Sequence, residues 1–175
     1  MRCVVAPQNV ARDKMERPIL FLAGGISNCP HWQDQVIKAL IEDPELSGTI
    51  LNPRRSTMPT DRLEQIAWEF RGLQFCDLKS FWFCKATECP ITLLEYGKAL
   101  AVPDRPMVVG IEPGYSHLSN VGIQTSLAID HVGATTFEAY KFETDGTPRS
   151  QAIYNSLEAY TAAIKKNLIA LQATL

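Results

Sequence analysis

The sequence predicts a doubly wound α/β domain with a mostly parallel sheet of five strands flanked by helices, and two observations carry that prediction. Segments that read as short strands recur at residues 19–23, 49–51, 78–84, 107–110 and 134–137. Between them lie segments whose apolar residues recur at helical spacing. Strands alternating with helices in this way signal βαβ units, which build parallel sheets covered on both faces.

Each element has its own local reason. Residues 19–23 read as the first buried strand, ended by Gly24-Gly25. Trp32, Val36, Ala39 and Leu40 then share one helical face, with Ser27 or Asn28 suited to cap that helix and Pro30 to its first turn. Residues 49–51 form a second strand, stopped by Asn52-Pro53 and followed by a polar loop through Arg54, Arg55 and Pro59. Asp61 followed by Glu64 resembles a capping box, and Leu63, Ile66, Ala67, Phe70 and Leu73 give the next helix its apolar stripe. Residues 78–84 are the third strand, and a helix over 91–100 follows. Residues 107–110 are the fourth, with a turn-rich stretch over 113–120 and a helix over 121–130. After the fifth strand, Ile153, Leu157, Tyr160, Ile164, Leu168 and Leu171 mark a C-terminal amphipathic helix. Residues 1–17 mix Arg2, Arg12, Asp13, Lys14 and Glu16 with short apolar pieces and read as an N-terminal extension. They lack the continuous apolar core of a signal peptide. Residues 18–175 are expected to be one domain.

Composition narrows the function classes. A chain of 175 residues with 46% hydrophobic and 21% charged residues is ordinary for a globular domain. A net charge of −2 gives no electrostatic reason to expect nucleic acid or an anionic membrane, so a small-molecule ligand is the expected partner. No apolar run approaches the ~20 residues of a membrane helix. The five cysteines are an odd number without a CxxC pair, which argues against a disulfide framework and a structural zinc site. Reduced thiols in a cytoplasmic protein are expected. His31, His117 and His131 lack metal-ligand spacing, so no metal is expected. Neither GxGxxG nor GxxxxGK[ST] occurs, so the dinucleotide and P-loop readings lack their mechanism, and no cofactor is expected.

The candidate residues cluster at the carboxyl ends of the expected strands, where open α/β sheets keep their ligand crevices. Glu95 lies in a helix just after the third strand, as a nucleophile or base would. Lys98, three residues on, offers the plainer explanation of a surface ion pair. Gly24-Gly25 is either a tight turn or a place where a ligand approaches the backbone. Glu69 and Glu88, taken singly, read as solvated carboxylates. Asn52 and Arg54 belong to a strand stop, or aim an amide and a guanidinium at a polar ligand.

Taken in order, several segments resemble the nucleoside 2-deoxyribosyltransferase family. They are Phe21-Leu22-Ala23-Gly24-Gly25-Ile26 with Trp32-Gln33, Leu51-Asn52-Pro53-Arg54-Arg55, and Trp68-Glu69 through Phe81-Trp82-Phe83 to Pro90-Ile91-Thr92-Leu93-Leu94-Glu95-Tyr96-Gly97. Val108-Val109-Gly110-Ile111-Glu112-Pro113-Gly114 leading to Asn120 completes the set, so the resemblance covers about residues 18–130. It implies a flavodoxin-like domain, oligomers with active sites at subunit interfaces, and transfer of 2-deoxyribose between nucleobases. It also implies that Glu95 attacks the anomeric carbon to form a covalent glycosyl-enzyme, with retention after two inversions. Glu69 corresponds to the carboxyl group that moves a proton to or from the base, Asn120 to an asparagine reaching a neighbouring subunit's sugar, and Asn52 and Arg54 to the base side of the pocket. The family's aspartate six residues before the nucleophile is replaced by Cys89, so either Glu88 substitutes or the sugar is held differently. Its first-strand tyrosine is replaced by Phe21. A nucleoside or nucleoside 5′-monophosphate N-glycosidase on the same fold is the alternative, since it would use the same glutamate.

Overall fold

The computed structural model describes residues 1–57, 61–102, 104–132 and 153–175. Its strands are β1 (Arg2–Val5), β2 (Ile19–Gly24), β3 (Thr49–Asn52), β4 (Leu78–Phe83), β5 (Met107–Ile111) and β6 (Ile153–Tyr154). Five α-helices accompany them: α1 (Trp32–Ile41), α2 (Arg62–Phe75), α3 (Pro90–Ala101), α4 (Leu118–Val132) and α5 (Leu157–Gln172). The strands pair in the order β1-β3-β2-β4-β5-β6, and every pairing is parallel. Without the edge strand β1, that is the 2-1-3-4-5 order of flavodoxin-like sheets. The order reverses between β2 and β4, so their carboxyl ends flank the switch-point crevice.

Four of the five expected strands are present, and the fifth, at residues 134–137, falls outside the described residues. The sheet gains two strands that sequence periodicity did not mark, and both lie at its edges. β1 comes from the stretch read as an extension and pairs with β3 from Arg2↔Thr49 to Val5↔Asn52. Only Val4 of its four residues is buried, so no clear alternation announces it. β6 is two residues long, too short to register as a pattern.

Alternation along β4 explains the two-sided core. Phe81 and Phe83 stack edge-on against Tyr96 of α3, with ring centroids 5.2 and 5.4 Å away. Trp82 points to the opposite face, where it meets Tyr160 of α5 at 5.1 Å and Trp32 of α1 at 6.4 Å. Phe21 of β2 packs on Trp68 of α2 at 5.9 Å. Thus α1 and α5 cover one face, while α2 and α3 cover the other.

Two helix details differ from the sequence reading. α1 begins at Trp32 with His31 as its N-cap residue and no side-chain cap, so neither Ser27 nor Asn28 serves that role. The start is held instead by the Trp32 indole, which donates to the Gly25 carbonyl at 3.0 Å. Asp61 caps α2 as expected, its carboxylate accepting from the Leu63 amide at 2.8 Å, but Glu64 pairs with Arg55 at 2.7 Å instead of closing a capping box. Of its expected apolar stripe, Leu73 packs against the core, but Leu63 is 70%, Ile66 59% and Phe70 56% exposed. Trp68 and Gly72, one turn apart, are the residues α2 buries. A Cβ on Gly72 would lie 2.6 Å from the Phe21 ring, so the helix sits closer to the sheet there than any larger residue allows.

Candidate active site

The loops leaving β2 and β4 shape the crevice, and both turn on a residue in left-handed conformation that is not glycine. Asn28 has φ 57° in the first, and Cys89 has φ 49° in the second, where it caps α3. Such backbone is costly for residues with a side chain and persists where packing over-determines it, often at functional sites. Pro90 then opens α3, its fixed φ suiting the first turn.

Between these loops and α2 lies a cavity of about 480 Å³, within the range of small-molecule sites. Glu95 reaches it from α3 and Glu69 from α2, with Gly24 and Gly25 lining it from the end of β2. Phe21 and Cys89, where the resembled family has a tyrosine and an aspartate, line it too.

Burial dominates the electrostatics. Withdrawal from water pushes the Glu95 carboxyl up to about 8, the negative charge of Glu69 adds to the rise, and Lys98 opposes it. Glu69 is also raised by burial, against the pull of its hydrogen bond to Gln65 and of the nearby Arg55 guanidinium. The surface ion pair between Glu95 and Lys98 does not form among the described residues. Glu95 points into the cavity instead.

Residues missed in the sequence complete the wall. Gln65 sits one turn before Glu69 and donates from Nε2 to Glu69 Oε1 at 2.7 Å and to the Pro53 carbonyl at 3.0 Å. Its amide orientation is thereby fixed, and Oε1 is left buried without a partner. Arg55 Nε is likewise unpartnered, although its Nη2 donates to Glu64 at 2.7 Å. Both side chains line the cavity, offering an acceptor and a donor beside Glu69. The i,i+4 spacing of Gln65 and Glu69 on a helix was the available signal.

Four other expected site residues lie away from the cavity lining. Asn52 is buried and accepts from the Arg54 amide at 3.0 Å, shaping the turn after β3. Arg54 points back under the β2 loop, donating to Gln33 at 2.8 Å and to the carbonyls of Gly25 at 3.2 Å and Pro30 at 3.0 Å. Of the two adjacent loop arginines, the cavity-facing one is therefore Arg55. Glu88 is exposed, bonded to His117 and to Ser116 at 3.2 Å, and ties the β4 loop to the β5 loop. Asn120 is exposed on α4.

The cysteines also depart from expectation. Cys29 and Cys84 form a disulfide, and among the described residues Cys3, Cys76 and Cys89 are free. The two partners are 55 residues apart, so no local motif marks them. Adjacency of β2 and β4 brings them together, because Cys29 follows one strand and Cys84 the other. Cys89 joins them, and the three sulfurs lie within 4.8 Å of one another. No described helix is long and apolar enough to cross a membrane.

Residues 17–115 match a family model described as nucleoside 2-deoxyribosyltransferase like. No curated protein matches the chain.

Proposed function

Because the chain belongs to the nucleoside 2-deoxyribosyltransferase-like family, we propose that it transfers a 2-deoxyribosyl group between nucleobases through a covalent intermediate on Glu95. The observation that best supports this reading is the convergence of Glu95 and Glu69 on one cavity at the sheet's switch point. The Glu95 carboxylate attacks C1′ as the N-glycosidic bond breaks, and the bonding pair leaves with the base. Glu69 gives the departing base its proton. An incoming base then attacks C1′ from the vacated face, returns a proton to Glu69 and releases Glu95, so configuration is retained.

Burial raises both carboxyls. At Glu69 that direction favours the protonated form that a proton donor to the leaving base needs. Glu95, once ionised, is a desolvated anion beside the developing oxocarbenium, where its charge is least screened. Gln65 Oε1 and Arg55 Nε, both unpartnered, are placed to read a base edge carrying an N–H next to an acceptor.

A second copy of the chain is the proposed partner, in a cytoplasmic homo-oligomer. Ile66 and Ile91 line the cavity yet are 59% and 60% exposed, and Leu63, Phe70 and Leu94 continue that apolar rim. Covering it would close the site, and Asn120 would act across the interface. Arg62 at the cavity wall, beside Arg55, favours a second reading, hydrolysis of a nucleoside 5′-monophosphate. Incubating the protein with thymidine and adenine and following deoxyadenosine by chromatography tests the first reading. Absence of any exchange product would refute it, and free base released from monophosphates without an acceptor would establish the second.

A further inference from the structure

Cys29, Cys84 and Cys89 are buried side chains drawn from three places in the chain onto one backbone position. That position is Gly25: a Cβ there would lie 2.3 Å from the Cys29 sulfur, 3.0 Å from Cys89 and 3.2 Å from Cys84. The glycine therefore makes the space in which three sulfurs meet. A single disulfide needs only two of them. We infer that the chain, with the Cys29–Cys84 bond reduced, binds one zinc ion through Cys29, Cys84 and Cys89.

The donor set suits the metal. Zinc takes thiolates at about 2.3 Å, which places the sulfurs of a tetrahedral site about 3.8 Å apart. The three sulfurs already lie within 4.8 Å of one another, inside the reach of small side-chain rotations. No fourth cysteine, histidine or carboxylate joins the group among the described residues, which is the ligand count of a site with one position left to water. Three thiolates on Zn²⁺ carry a net charge of −1, and the surroundings favour that charge. Cys89 caps the amino end of α3, where the helix dipole is positive. The Arg54 guanidinium lies against the Gly25 carbonyl at 3.2 Å and the Cys29 carbonyl at 3.4 Å.

The chemistry balances in two steps. A dithiol or phosphine reductant delivers two electrons to the Cys29–Cys84 bond, and two protons make both thiols. Zinc then displaces three protons from the three thiols. Occupancy is therefore gated by redox state: the oxidised chain has lost two of its three ligands. Cys89 and Gly25 also line the cavity that holds Glu95, so the metal would form part of its floor.

The test uses Co²⁺ as a spectroscopic probe on protein reduced with a phosphine and desalted under argon. The expected result is a thiolate-to-cobalt charge-transfer band that saturates at one equivalent and is abolished by Zn²⁺. Cys89→Ser should weaken binding by more than about tenfold, while Cys3→Ser and Cys76→Ser leave it unchanged. Native mass spectrometry of the wild type adds a measurement that needs no variant, with a zinc adduct on the reduced chain and none on the oxidised one. Reduced wild type with a native circular dichroism spectrum and no charge-transfer band would overturn the inference. So would equal binding by the oxidised chain, or by Cys89→Ser.

Discussion

Replacing Glu95 by glutamine should make the protein more stable at neutral pH, although it removes the proposed nucleophile. The folded chain holds this carboxyl near 8 because burial and the charge of Glu69 disfavour ionisation, whereas the unfolded chain releases its proton around 4.5. Below pH 4.5 both states keep the proton and Glu95 costs nothing. Between 4.5 and 8 the unfolded state ionises while the folded state does not, so stability falls as pH rises; above 8 the loss is complete. Each pH unit in that window is worth ~1.4 kcal/mol, so the two and a half units up to pH 7 amount to about 3 kcal/mol. Glu95→Gln keeps the shape of the protonated side chain and has no such slope. Denaturant titrations at pH 5, 7 and 9 should show a small difference from wild type at pH 5 and a gain of about 3 kcal/mol at pH 7. The gain should approach about 5 kcal/mol at pH 9. In a domain of this size the pH 7 gain corresponds to a Tm rise of roughly 6–12 °C. Equal stabilities and parallel pH dependences for the two proteins would show that Glu95 is not held in the desolvated position described.

The remaining predictions concern activity, packing and assembly. Base exchange should rise with pH towards about 8 as Glu95 ionises, and fall again once Glu69 loses the proton it must give the leaving base. Glu69→Gln removes both the acid and its charge, so the residual rate should lose the falling limb and begin to rise at lower pH, which a pH–rate profile measures. Gly25→Ala should destabilise the chain by about 1–3 kcal/mol through overpacking against the sulfurs. In a Cys29→Ala background, where the disulfide and the nearest sulfur are already gone, the same Gly25→Ala change should cost less, and a thermal-melt cycle of the single and double variants checks it. Phe70→Glu, at an exposed position on α2, should leave the fold intact while shifting the particle to a smaller mass in light scattering coupled to size exclusion.

Most of the fold was legible because its central strands are rich in apolar residues, continuously so in β2 and β5, and its glycines and prolines punctuate them. The edges were not legible, since β1 offers a single buried valine and β6 only two residues. In the site, Glu95, Gly24 and Gly25 stood out because each sits at the end of a strand or on the helix after it, whereas Glu69 read singly as a solvated carboxylate and was singled out only by the family resemblance. Arg54 was chosen over Arg55 because the two are adjacent in a loop, where no periodicity says which way a side chain turns. The stripe Leu63, Ile66 and Phe70 shows a converse limit: periodicity finds an apolar face without saying whether this chain's own core covers it. The sulfur cluster had no linear signature, because its members come together only when β2 and β4 pair.

Trp68, Glu69 and Phe70 are consecutive, yet one faces the core, one the cavity and one the solvent. That arrangement makes α2 behave as a dial whose setting is fixed elsewhere, by the missing side chain of Gly72 against Phe21. A methyl group there would lift the helix and carry the Glu69 wall outward with it. The width of the cavity is thus governed in part by a glycine that lines none of it, and on the proposed reading drift at that position offers a route to other acceptor bases that leaves both carboxylates untouched.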